Sequence, residues 1–173
     1  MAIVWLLRWT LFRIMLGAGL IKLKAADSCW LDFSCLIYHY ETQPNPHPMS
    51  PIYHYMPELF HIGGVAFNHF VELLVPLFYF APRKWRIRAA SLTIFFQLIL
   101  ISSGNLAFLN WATIILCIPC FDDKALSFIF RRKRLSLQTS QKQTKVRRRI
   151  IATFTTFYLI LRIPSALNLF AVP

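Results

Sequence analysis

Glu72 demands a chemical explanation first in this 173-residue chain, because it lies inside a mostly apolar run from about Leu59 to Ala81. At about 100° per residue, His61, Asn68 and Glu72 fall along one line of a helix, with His69 at its edge. An ionised group in hydrocarbon is expensive and points into a bundle interior, so Glu72 must hold a proton or meet a cation. Arg8 and Arg13 in the first apolar run and Arg162 in the last are the candidate cations, and Arg13 and Arg162 are the partners expected. The simplest chemistry is an interhelical polar clamp, which Gln97, Asn110 and Thr113 would extend. Proton transfer is the alternative. Lys22, at the end of the first run, reads as a residue whose stem lies in the apolar layer while its ammonium stays wet. Stripped of water, the same amine would be a base.

The cysteines and histidines suggest less. Cys29 and Cys35 are close enough for a disulfide, although spacing alone leaves the pairing open. Cys117-Ile118-Pro119-Cys120 has the C-x-x-C spacing of a redox centre. It falls at the C-terminal end of an apolar run, where the helix dipole has the wrong sign to favour a thiolate, so two buried structural thiols are expected. The histidines are His39, His47, His54, His61 and His69, and none has the spacing of a zinc motif. The chain carries no nucleophile elbow and no glycine-rich phosphate loop. No catalytic residue, metal or cofactor is assigned.

The composition shows what must position these groups. Hydrophobic residues make up 57% of the chain and charged ones 15%. That leaves too little polar surface for a water-facing globule and too much apolar content for disorder. A bilayer-crossing helix needs about 20 mostly apolar residues. Five stretches qualify, at about 2–23, 59–81, 87–103, 105–121 and 150–171, with Ser102-Ser103-Gly104-Asn105 separating the third from the fourth. The expected fold is all-α, a polytopic transmembrane helical bundle in one membrane domain. The two arginines and the lack of a small-x-small cleavage site in the first stretch favour a span over a removable signal.

Charge orients the bundle. The connections 82–88 and 122–149 hold fourteen of the nineteen basic residues. Five spans put both on one face, which is then cytoplasmic. The segment 24–58 faces the opposite, lumenal side. It contains Pro44, Pro46, Pro48, Pro51 and Pro57 and is expected to form an ordered, non-helical cap. Trp30, Tyr38, Tyr40, Glu41, Tyr53 and Tyr55 make it either an interfacial aromatic belt or a surface for a partner's apolar groups. The clusters Arg131 to Arg134 and Lys145 to Arg149 suit anionic lipid, and nothing beside them suits nucleic acid.

The strings GAGLIKLK (Gly17 to Lys24), CWLDFSC (Cys29 to Cys35), YHYETQPNPHP (Tyr38 to Pro48), FNHFVELLVP (Phe67 to Pro76), SGNLAFLNW (Ser103 to Trp111) and CFDD (Cys120 to Asp123) resemble the lipase maturation factor family. The resemblance runs in consistent order from Trp5 to Asp123. It implies a multi-pass endoplasmic-reticulum membrane protein that helps secreted homodimeric lipases, of the lipoprotein lipase and hepatic lipase type, to fold and assemble. Members of that family are usually several hundred residues long, so this chain reads as a short or partial member, or an inactive fragment. A weaker similarity, Gly19-x-x-Lys22-Leu23 before an acidic segment with a tryptophan, links it to vitamin K-dependent carboxylase-like membrane enzymes and would make Lys22 the base.

Overall fold

Among the described residues, three helices are long and apolar enough to cross a bilayer: α1 (Ala2–Lys24), a helix over Glu58–Phe80, and α5 (Arg83–Ser103). The computed structural model describes residues 2–24, 28–104 and 108–130, together with 149, 152, 153, 155–157 and 160. Between α1 and the second long helix lie a 3₁₀ turn (Ser28–Trp30), α2 (Cys35–Thr42) and α3 (Ser50–His54). The second long helix begins as α4 (Glu58–His69), widens into a π-turn (Phe70–Leu74) and tightens into a 3₁₀ stretch (Val75–Phe80). After α5 come α6 (Phe108–Cys117), its 3₁₀ extension Ile118–Cys120, and α7 (Asp123–Phe130). The chain is thus a helical membrane bundle.

The middle of the second long helix changes pitch for a covalent reason. Pro76 has no N–H to offer the carbonyl of Glu72, four residues back. The preceding amide, Val75, reaches instead to the carbonyl of Phe70, a five-residue step. That step is the widened turn that places Glu72.

Long helices pack in alternating directions. The start of α1, the end of the second long helix, the start of α5 and the end of α6 meet at one end of the bundle, here called the basic end. Leu11 and Met15 of α1, Val71, Val75 and Tyr79, Ala89, Ala90 and Phe96 of α5, and Cys117 and Cys120 form the buried core. Alanines at 89 and 90 let backbones approach closely. Polarity runs opposite to that of a soluble protein. Thr93, Gln97, Asn110 and Thr113 are buried between helices, while Leu74, Leu77, Phe95, Leu98, Trp111 and Ile115 face outward. The Tyr79 hydroxyl donates to Thr93 Oγ1 at 2.7 Å, because the threonine hydroxyl itself donates to the carbonyl of Ala89 at 2.9 Å.

The basic end is closed by cations on helix-terminal carbonyls. Arg8 donates from Nε and Nη2 to the carbonyl of Pro119, at 3.1 and 2.8 Å, and Arg86 Nε donates to that of Cys120 at 2.9 Å. These carbonyls end α6, have no partner further along the helix, and carry the negative end of its dipole. Arg83 pairs with Asp122, whose Oδ1 also accepts the Ala125 amide at 2.9 Å and so caps α7. The Arg83 guanidinium, with the Ala125 amide, holds the Asp122 carboxyl down to about 2. Cys117 and Cys120 are buried free thiols behind this closure.

Several boundaries differ from expectation. Residues 83–88 are not a connection but the first turns of α5, because Pro82, with φ −53°, starts the helix directly. The fourth apolar stretch is described from Phe108 to Cys120 and is shorter than the other three. Most of the fifth stretch, Arg162 and the clusters 131–134 and 145–148 lie outside the described residues. The proline-rich cap is not free of helix: Pro51 occupies the first turn of α3, where its missing N–H removes nothing.

Replacing Thr93 with Val strands the buried Tyr79 hydroxyl. The expected loss is about 1 kcal/mol in thermal unfolding from detergent micelles, with Thr93→Ser close to wild type.

Candidate functional site

Glycine at position 19 lets α1 lie against the π-turn. A Cβ there would stand 2.7 Å from Leu73 Cδ2 and 3.0 Å from Glu72 Cβ. Three residues on, and therefore on the same helix face, Lys22 reaches across the contact. Its Nζ lies 2.8 Å from both Oε1 and Oε2 of Glu72 and 2.9 Å from Asn68 Oδ1. The same nitrogen stands 4.7 Å from the centre of the Trp30 ring, a cation–π contact. The Glu72 side chain is 5% exposed and that of Lys22 21%, so the pair is set into the bundle with the lysine on its outer side.

This corrects the expected partner of Glu72. The cation is Lys22 and not Arg13, while Arg162 lies outside the described residues. Arg13 precedes Lys22 by nine residues, a rise of about 13 Å along α1, and so lies far below the level of Glu72. The Lys22 ammonium does not simply reach for water. Its hydrogens are directed at three oxygens, an arrangement that suits a held positive charge and leaves no lone pair for base chemistry.

The remaining polar residues of the second long helix tie it to the cap. His69 Nε2 lies 2.9 Å from the carbonyl of Trp30, which can only accept, so this nitrogen carries the proton. The His69 ring also meets the rings of Trp30 and Phe33 edge-on. Phe33 has φ 65°, a left-handed conformation that a bulky residue rarely adopts. It sits in a tight loop closed by a Cys29–Cys35 disulfide, in which Asp32 accepts from the amide and hydroxyl of Ser34. His61 Nε2 donates to the carbonyl of Met56 at 3.0 Å. His61, Asn68 and Glu72 are all buried, and of the four residues Asn68 and Glu72 meet the lysine.

The cap is fastened to the end of α5. Gln43 Nε2 donates to the Ser103 carbonyl and to Ser50 Oγ, at 3.1 and 2.8 Å, and the Ser50 hydroxyl donates to the same carbonyl at 2.8 Å. Tyr53 Oη lies 2.7 Å from Ser102 Oγ. The two Tyr-His-Tyr segments face each other: Tyr40 stacks on Tyr53 with ring centres 5.6 Å apart, and His54 Nε2 stands 2.9 Å from Glu41 Oε1. Tyr40 and Tyr53 thus point inward and Trp30 lies over Lys22, whereas Tyr38, Glu41 and Tyr55 are displayed outward. Among the described residues, no three potential metal ligands come together.

Sequence reasoning grouped Lys22 with Glu72 and His69 only in the enzyme reading, expected an arginine as the partner in the clamp, and missed the fastening role of Gln43 and Ser50. Gly19, three residues before Lys22, is the signal for the lysine–glutamate pair. Lys22→Met alone leaves a buried carboxylate without its cation and is expected to cost about 3 kcal/mol. Adding Glu72→Leu should recover much of that loss, measured by unfolding in micelles. Strictly additive losses would show that the two are uncoupled.

Comparison with known proteins places this arrangement. Residues 1–128 match the family model described as lipase maturation factor transmembrane domain. Lipase maturation factor 1 of Mus musculus is 56% identical over 128 residues, covering 74% of this chain and 22% of the relative. Its Homo sapiens counterpart is 51% identical over the same shares. Lipase maturation factor 2 of Xenopus tropicalis is 37% identical over 131 residues, covering 75% of this chain and 18% of the relative. The chain therefore spans about a fifth of the length of these relatives. No solved structure matches it. With its three described long apolar helices, the cap and the Lys22–Glu72 contact all inside the matched region, the chain belongs to the lipase maturation factor family.

Proposed function

We propose that this chain is a membrane-embedded folding and assembly factor for secreted homodimeric lipases, of the lipoprotein lipase and hepatic lipase type, working in the endoplasmic-reticulum membrane. The observation that carries the reading is the match of residues 1–128 to a family whose relatives bear the name lipase maturation factor. The mechanism is binding rather than bond making. Apolar and aromatic surface shields a lipase's unassembled face until its own dimer interface closes.

The cap is the surface best suited to that task. Tyr38 is 60% exposed, Ile52 55% and Tyr55 84%, all at the end of the bundle fastened by Gln43 and Ser50. Exposed aromatic and apolar groups clustered on a rigid base are what a partner's apolar groups would engage. In this reading the capped end faces the lumen. The basic end, with Arg83, Lys84, Arg86 and Arg88, faces the cytosol, as the positive-inside bias favours. Five spans, the fifth within 150–171, complete the topology.

Two experiments test the proposal. Replacing Tyr38, Ile52 and Tyr55 together with Ser removes outward groups without touching the Gln43, Ser50 or Tyr53 contacts. Co-purification of a secreted lipase from detergent is expected to fall about tenfold, and an undiminished yield would exclude the cap as the client surface. Single cysteines introduced at Asn45 and Lys145 should label from opposite sides of sealed microsomes. Labelling from one side would overturn the topology.

A further inference from the structure

The second long helix and α5 touch where Phe67 meets Phe95 and Phe96 with ring centres 6.4 and 5.8 Å apart. Toward the capped end they part around a cavity of about 540 Å³. That volume lies within the roughly 300–1,000 Å³ typical of small-ligand sites. Gly63 and Phe67 line one wall and Phe96 and Ile99 the other, with Tyr40 and His39 of α2 above. Leu59, 80% exposed, also lines the cavity, so its mouth lies on the outward face of α4. Gly63 contributes open space, since a Cβ there would meet nothing within 4 Å.

The polar groups facing this space define what fits. Lys22 reaches it, but its charge is balanced by Glu72 and its donors are engaged. Burial, with the nearby Lys22 ammonium, pushes the His39 imidazole down and keeps it neutral. Burial also pushes the Tyr40 phenol up to about 12. Tyr40 is only 7% exposed, and among the described residues neither its hydroxyl nor the His39 ring has a hydrogen-bond partner. The site therefore has an apolar slot opening sideways between membrane helices, no net charge, and two unused hydrogen-bonding groups at its interfacial end. Their polar atoms are not sealed off but open to the cavity, so a ligand head that reaches them gains hydrogen bonds there.

We propose that this cavity binds one single-chain lipid with an uncharged, hydrogen-bonding head, of the monoacylglycerol type, its acyl chain between α4 and α5 and its head at His39 and Tyr40. The proposal goes beyond lipase assembly and does not depend on it. The test uses the full chain in detergent micelles with a monoacylglycerol carrying a diazirine in its acyl chain. Photolabelling should concentrate on Phe67 and Ile99, and unlabelled monoacylglycerol should compete better than the fatty-acid anion of equal length. Gly63→Phe fills the slot and should abolish the focused label, as should Ile99→Trp from the opposite wall if the first variant fails to purify as a single species. Tyr40→Phe should weaken monoacylglycerol competition about fivefold while leaving a long-chain alkane unaffected. Labelling spread evenly over outward residues such as Leu98 and Leu109 and insensitive to the filling variants would overturn the proposal. Stronger competition by the anion would do the same.

Discussion

A carboxylate held between membrane helices must be matched, and the match between Glu72 and Lys22 is the constraint from which most of this arrangement follows. It fixes the level of α1 against the second long helix, because Lys22 can reach Glu72 only where Gly19 lies against Leu73. It requires the π-turn to present Glu72 beside Asn68. It also places an ammonium under the Trp30 ring, so the cap is seated on the same charge that joins the helices. A hydrophobic pair could join two helices as firmly, but it would carry less information about register.

The two ends of the bundle satisfy their backbone in different ways. At the basic end, arginines from α1 and α5 converge on the last carbonyls of α6, so long cationic side chains complete the hydrogen bonding. At the capped end, neutral side chains serve instead: Gln43 and Ser50 both take the Ser103 carbonyl, and an isolated bridge pairs Pro46 with Gly104. The cap is thereby attached to α5 by uncharged contacts and to α4 by histidines. Its outward residues remain available.

Much of this was legible in the sequence. The apolar runs marked the long helices because only length and composition enter that judgement. The line of His61, Asn68 and Glu72 marked the polar face because helical periodicity is local. The partner of Glu72 was not legible in the same way. Which cation lies opposite depends on how two helices distant in sequence are aligned, and a glycine contact, rather than a charge, decides that. The helices of the cap were hidden by its prolines, which discourage helix interiors yet suit first turns, so density alone misleads. The inward turn of Tyr40 and Tyr53 depends on Gln43 and Ser50, two residues whose types give no warning of burial.

The π-turn at Phe70–Leu74 also bears on how this segment can change over evolutionary time. A single-residue insertion or deletion in a helix rotates everything on one side of it by about 100° relative to the other. Here the turn stands between Asn68 and His69, which face Lys22 and Trp30, and Val75 and Tyr79, which face the core. Shortening it by one residue to regain regular pitch would swing one of those groups out toward lipid. The number of residues between Asn68 and Val75 is therefore fixed by geometry, even at positions where the side chains themselves are free to vary.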